Sequence, residues 1–199
     1  MPFGARNAAL GGMVVSLSDG DLMQFVHNPA VLDSVSAGAL AINLSPYFAD
    51  VASFSGAYLS TLPKIGKFAF GVTYLDYGDF QETAANGDVT GTFSGNDILL
   101  TVGKSHSLGS FSLGANLKYA SNGIAGYGSS LLLGDFGGIY RAPDADFTFG
   151  MVFKNFGWVL NQYTTSATNE VPFDVQISTS IKPEHMPLRF SISAYNLTE

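Results

Sequence analysis

The sequence predicts an all-β chain: an antiparallel transmembrane β-barrel, about nine strands of a larger wall, preceded by an N-terminal hatch-like segment. Three observations lead there. Segments of about ten residues alternate apolar with small or polar side chains, which is the period of a strand with two unlike faces. Charged residues are scarce, and the connections between the segments alternate between short and long.

Hydrophobic residues make up 46% of the 199 and aromatics 13%, whereas only 13% are charged. A soluble domain carries roughly 25% charged residues, so a water-facing surface would here be unusually poor in charge. A helical membrane protein needs apolar runs of roughly 18 residues or more, and Ser, Asn, Gly, Asp or Lys interrupts every run well before that length. Lipid can then be crossed only by a closed sheet, in which strands satisfy one another's backbone N–H and C=O groups. The net charge of -7 and pI near 4.7 argue against nucleic acid as a partner, since no Lys/Arg cluster is present to displace counterions from phosphates. With no cysteine, disulfide and thiolate chemistry are excluded.

The alternation is clearest over 110–119. Phe111, Leu113, Ala115, Leu117 and Tyr119 share one face, and Ser110, Ser112, Gly114, Asn116 and Lys118 the other. The same two-faced pattern covers Phe68/Phe70/Val72/Tyr74, Phe147/Phe149/Met151/Phe153, Phe173/Val175/Ile177 and Leu188/Phe190/Ile192. Weaker members at 37–45, 51–60, 96–104 and 130–140 bring the total to about nine strands, each near the ~9–11 residues that a tilted membrane strand requires. If the apolar face meets lipid, then Asn116, Lys118, Asp135, Lys154, Asp174, Gln176 and Arg189 face the interior, where they hydrate or brace the lumen.

Short turns are expected at 61–65, 105–108, 141–145 and 183–186, and long loops at 78–95, 120–129 and 157–171. Outer-membrane barrels have short periplasmic turns and long extracellular loops, so this alternation predicts both topology and orientation. Tyr77, Tyr127, Phe156 and Trp158 fall near the long-loop ends, where amphipathic rings favour the headgroup level. Two of the long loops carry the candidate partner-binding residues: Tyr77, Asp79, Phe80, Thr92 and Phe93 in the first, Trp158 and Tyr163 in the second.

Residues 1–36 differ in kind from 37–199, the predicted barrel unit. Small residues run into Gly11-Gly12, an Asp19-Gly20-Asp21 loop follows, and Asn28-Pro29-Ala30 precedes the first strand. Asn-Pro initiates a turn and Gly-Gly permits close backbone approach. The start, Met1 to Arg6, is not a secretory leader, so a leader is expected to be missing. His27, His106 and His185 lie in separate connections without metal-ligand spacing, the paired Asp residues do not continue into a calcium loop, and neither a nucleophile elbow nor a phosphate-cradling loop occurs. The sequence therefore predicts no enzyme, no metal and no cofactor.

The stretch Ala5-Arg6-Asn7-Ala8-Ala9-Leu10-Gly11-Gly12, the element Asn28-Pro29-Ala30 and Tyr47-Phe48-Ala49-Asp50 together resemble the PorV/PorQ family, a branch of the FadL-like outer-membrane β-barrel superfamily. The resemblance continues through Tyr77-Gly78-Asp79-Phe80, Val89-Thr90-Gly91-Thr92-Phe93-Ser94, Gly114-Ala115-Asn116-Leu117-Lys118 and Pro172-Phe173-Asp174, and so covers nearly the whole chain. It implies a FadL-like barrel with an N-terminal hatch, with further strands beyond Glu199 needed to close it. It also implies a non-catalytic place in the outer membrane of a Bacteroidetes-type cell. There the protein would serve the type IX secretion system, alongside PorZ, PorU and PorV-like components of the attachment complex.

Two other readings stand beside it. In a FadL-like transporter the hatch around Asn28-Pro29-Ala30 would move to admit an apolar ligand, for which a ligand-sized apolar pocket beside the hatch is expected. In a soluble β-sandwich or adhesin module the apolar face would instead pack against a second sheet.

Overall fold

A computed structural model describes residues 5–163 and 171–198. Among these, nine strands form one antiparallel sheet in strictly sequential order: β1 (Leu40–Pro46), β2 (Ala52–Leu62), β3 (Gly66–Thr83), β4 (Val89–Leu108), β5 (Phe111–Ile124), β6 (Tyr127–Arg141), β7 (Phe147–Asn161), β8 (Asp174–Ile181) and β9 (Phe190–Ala194). Each strand pairs with its chain neighbours only. β1 and β9 are not paired with each other, so the sheet is not closed. No helix among the described residues is long and apolar enough to cross a membrane.

The strand pattern expected from alternation holds, with one face apolar and outward and the other inward and mostly small or polar, Leu59, Ile139 and Val152 being among its apolar members. Along β5 exposed and buried residues alternate without a break from Phe111 to Tyr119: Leu117 is 57% exposed while Asn116 and Lys118 are 5% and 4%. Register carries the faces across the sheet, because Lys118 stands opposite Thr101 on β4 and Asn116 opposite Asp135 on β6. This is the inverse of an ordinary soluble sheet, where the apolar face is the covered one.

What covers the inward face is the N-terminal segment. It contains a short α-helix, α1 (Ala5–Ala9), and two 3-10 helices, Leu22–Val26 and Pro29–Ser34. Their side chains Leu22, Met23, Phe25, Val26, Val31, Leu32 and Val35 form the hydrophobic core with Ala57, Leu59, Ala69 and Ile139 of the sheet. Phe25 and Leu32 are both fully buried.

Several expected boundaries are corrected. The loop expected over 78–95 is mostly strand: β3 and β4 continue as a ribbon and turn only at 84–88. The loop expected over 120–129 closes at Ala125-Gly126, where both residues have positive φ, 50° and 81°, the backbone of a tight two-residue hairpin turn. The turn expected at 105–108 lies wholly beyond that stretch, at 109–110, because β4 runs to Leu108. Connection lengths therefore do not alternate as expected. The strands themselves range from five residues in β9 to 20 in β4, instead of holding near ten. Of the last expected long loop, 157–161 belong to β7, and 164–170 lie outside the described residues.

Candidate functional site

The N-terminal segment rests on a floor of glycines. On five consecutive strands an inward position lacks a side chain: Gly71 on β3, Gly103 on β4, Gly114 on β5, Gly137 on β6 and Gly150 on β7. A Cβ on Gly114 would sit 2.5 Å from the carbonyl carbon of Pro29 and 2.6 Å from the Ala30 nitrogen. On Gly71 or Gly103 it would come within 2.8 Å of the Phe25 ring, and on Gly150 within 2.8 Å of the Ser16 Cα. Gly114 and Gly137 are directly paired, so the Asn28-Pro29-Ala30 element lies flat against two bare backbones.

Those three residues behave as their chemistry dictates. Asn28 is the N-cap of the second 3-10 helix: its Oδ1 accepts from the Ala30 N–H at 3.0 Å, and Pro29 occupies the first helical position, where its missing N–H costs nothing. The remaining amide of Asn28 donates to the Val15 carbonyl at 2.7 Å. Asn28 is fully buried with these bonds made, so it ties the two halves of the N-terminal segment together.

At the other end of the same helix lies a latch that local motifs do not reveal. Arg141 of β6 forms a two-pronged pair with Asp33, Nη1 to Oδ2 at 3.0 Å and Nη2 to Oδ1 at 2.7 Å. Its Nε donates to Ser18 at 2.6 Å and its Nη1 also to Ser112 at 2.7 Å, while the Ser112 hydroxyl donates to Asp33. Lys67 of β3 donates to the carbonyls of Asp33 and Val35 at 2.5 and 2.6 Å. It thereby supplies a cation and two donors to a helix end whose carbonyls have no partner within the helix. Farther along the seat, Asn116 donates to the Phe25 carbonyl at 2.8 Å and Ser16 bonds Ser178 and Ser180 at 2.8 and 2.7 Å.

Of the expected lumen residues, Asn116, Lys118, Asp135 and Gln176 are buried on the inward face. Lys118 and Asp135 form an ion pair, and Asp135 also accepts from Asn116 and from the Asn155 backbone N–H, at 3.3 and 2.9 Å. Asp174 and Gln176 bond each other at 2.6 Å. Arg189 is instead at the sheet end, paired with Asp146 at 2.9 Å. A cavity of about 360 Å³ beside the N-terminal segment is lined by Lys118, Lys154, Asp174 and Gln176 as well as Met13, Val26 and Phe173. Its wall is mixed and charged.

The predicted partner-binding residues divide into two groups. Tyr77, Asp79, Phe80, Thr92 and Phe93 come together on the β3–β4 ribbon, Tyr77 within the bulge between Asp76 and Asp79 and the others beyond it. There Phe80 and Phe93 are cross-strand partners with stacked rings 5.3 Å apart, and the Tyr77 hydroxyl donates to Asp97 at 2.7 Å. Trp158 stands apart on β7, opposite Leu132, with 73% of its surface exposed. Tyr163 follows the end of β7; partial burial and the charge of Asp97 push its hydroxyl pKa upward.

The end bearing the β3–β4 ribbon carries Asp50, Asp76, Asp79, Glu82 and Asp88, whereas the opposite end is mixed, with Lys64, Lys67, Lys104, Arg141, Lys182 and Arg189 beside Asp144, Asp146 and Glu184. Among the described residues, no three His, Asp or Glu side chains cluster in a way that could hold a metal ion. No protein-family model matches the chain, and no curated protein matches its sequence.

Proposed function

We propose that this chain is a PorQ-like, non-catalytic component of the type IX secretion system. In this reading its sheet is part of a FadL-like barrel in a Bacteroidetes-type outer membrane, closed by further strands that join the open edges of β1 and β9. The chain then anchors or assembles the cell-surface attachment complex, with PorZ, PorU and PorV-like proteins as partners and lipid as its surroundings.

The observation that supports the membrane part of this reading is the inverted polarity of the sheet; the secretion-system role rests on the sequence resemblance. Leu40, Ile42, Leu44, Phe70, Leu117, Phe136 and Ile192 are 48–73% exposed on the outward face, whereas Ser, Thr, Asn and an ion pair are sealed inward. A continuous apolar surface of that kind is costly in water and is the surface a bilayer solvates. Backbone hydrogen bonding then demands that the two edges be paired.

The static role is favoured over transport by how the hatch is held. Moving it would break the Arg141–Asp33 pair, the two Lys67 bonds and the Asn116 bond to Phe25 together. Lys118, Lys154 and Asp174 also line the cavity beside it, among Val26, Leu99, Leu133 and Phe173, so a hydrophobic cargo would meet charged groups there. With the hatch fixed, the ribbon carrying Phe80 and Phe93 is the part best placed to meet other proteins outside the cell.

Recovery of the full-length protein from outer membranes, under conditions that preserve complexes, tests this directly. Co-recovery of PorZ or PorU is expected. Their absence, together with uptake of a hydrophobic small molecule that depends on the protein, would transfer the assignment to the transporter.

A further inference from the structure

Both edges of the β3–β4 ribbon are bare. β2 pairs with β3 only as far as Asp76, and β5 with β4 only from Gly95, so among the described residues the two strands beyond have no strand neighbour but each other. Phe93 is in step with Asp97 and Leu99, inward positions of β4, and Phe80 is its cross-strand partner. The stacked pair therefore lies on the face continuous with the lumen, where lipid does not account for a Phe80 that is 40% exposed. Two positions along on that face, Glu82 pairs with Gly91. A Cβ on Gly91 would come 3.1 Å from the Glu82 Oε2, so the carboxylate lies over bare backbone next to the stack. The Glu82 carbonyl accepts from Thr90 at 3.2 Å, but its exposed carboxylate has no hydrogen bond or ion pair among the described residues. The chain has no cation to offer it. No Lys or Arg occurs between Lys67 and Lys104, and Arg6, Arg141 and Arg189, the only arginines in the sequence, already pair with Asp19, Asp33 and Asp146.

We infer that this face of the ribbon docks an arginine of a partner protein, its guanidinium seated on the Phe80–Phe93 stack and paired with the Glu82 carboxylate. The inference rests on the partner-binding role proposed above and adds the chemistry by which the partner is recognised. A guanidinium meets both halves of the site, because its flat face lies on an aromatic ring while its N–H groups reach a carboxylate. The surrounding charge favours a basic partner. Asp76, Asp79, Asp88 and Asp97 stand on the ribbon or at its base, and carboxylates there disfavour the phosphates of a lipid or saccharide surface. A second copy of the chain is a poor donor, since its arginines are engaged and Arg141 and Arg189 lie at the opposite end of the sheet.

The test uses the full chain in lipid nanodiscs, with purified PorZ and PorU as separate probes and Kd read by biolayer interferometry. An exposed cation–π contact is worth about fivefold in affinity, and a hydrogen bond to a charged group about tenfold. Phe80→Leu should therefore weaken binding about fivefold and Glu82→Gln about tenfold, and Glu82→Lys should abolish it. At physiological salt Asp79→Asn and Gln81→Ala, on the opposite face of the same strand, should leave it within about twofold. Blocking the probe's arginines with phenylglyoxal should remove binding, whereas acetylating its lysines should not. All four positions are exposed, and an unchanged strand circular-dichroism signal serves as the folding control. A Kd unmoved by both Glu82 changes, or binding lost on acetylation and kept after phenylglyoxal, overturns the inference while the partner-binding role stands. If neither PorZ nor PorU binds the unmodified protein, that role fails and the inference fails with it.

Discussion

Gly137 and Gly138 are adjacent on β6 but face opposite ways, and they offer a sharp comparison. A Cβ on Gly137 would fall on the Asn28 side-chain oxygen, 3.0 Å from its Cγ and 3.1 Å from the Pro29 Cδ. On Gly138 the nearest atom is the flexible end of Leu113, at 3.4 Å on the outward side. Gly137→Ala must therefore push Asn28 out of its seat. Overpacking of this kind costs about 1–3 kcal/mol, and displacing Asn28 loses an N-cap of about 1 kcal/mol and a buried hydrogen bond of similar size. Taking about 3 kcal/mol as the total, hatch opening should become roughly a hundredfold more frequent. Amide hydrogen exchange across residues 22–35, in the protein held in detergent micelles, reads that opening. Gly137→Ala should speed exchange there by about two orders of magnitude, with Gly138→Ala within a few-fold of the unmodified chain. Equal exchange in the two variants would refute the glycine-floor argument.

Three further outcomes follow from the same geometry. Asp135→Asn leaves Lys118 charged and buried beside a neutral group, and should destabilise the sheet by about 3–5 kcal/mol. Replacing both by apolar residues of similar volume should recover most of that, read as the thermal midpoint of the strand circular-dichroism signal. Arg141→Ala removes four hydrogen bonds from the latch and should expose the hatch to protease while the sheet stays intact; unchanged cleavage would show that the latch is dispensable. Phe80→Ala removes a cross-strand stack of about 0.5–1.5 kcal/mol and, in the anchoring role, should lower partner recovery more than it lowers thermal stability.

The strands were legible because alternation is a local property, and a run such as 111–119 states its period within ten residues. The ends of the strands were not. Gly78, Asp79, Asn86 and Gly87 mark a loop by composition, yet Phe80 pairs with Phe93 and Thr83 with Val89, so the ladder continues past them. The tight turn at Ala125-Gly126 was hidden for a related reason: Ala has no intrinsic preference for the positive φ it adopts there. The Asn28-Pro29-Ala30 cap could be read from short-range chemistry. The latch could not, because Asp33 and Arg141 lie 108 positions apart and neither belongs to a motif. Its trace in the sequence was a lone arginine at the end of β6, in step with the inward positions Asp135, Gly137 and Ile139. The glycine floor was half visible: the abundance of glycine suggested close packing, but only the register places Gly71, Gly103, Gly114, Gly137 and Gly150 on consecutive strands.

The claim that the outward face meets lipid can be tested with a probe already in the chain. Trp158 is the one tryptophan in the sequence, exposed on the outward side of β7. In liposomes its fluorescence should be blue-shifted, quenched by lipids brominated near the headgroup and protected from aqueous iodide. Strong quenching by iodide with none from brominated lipid, in protein that retains its strand signal, would contradict the membrane reading at its foundation.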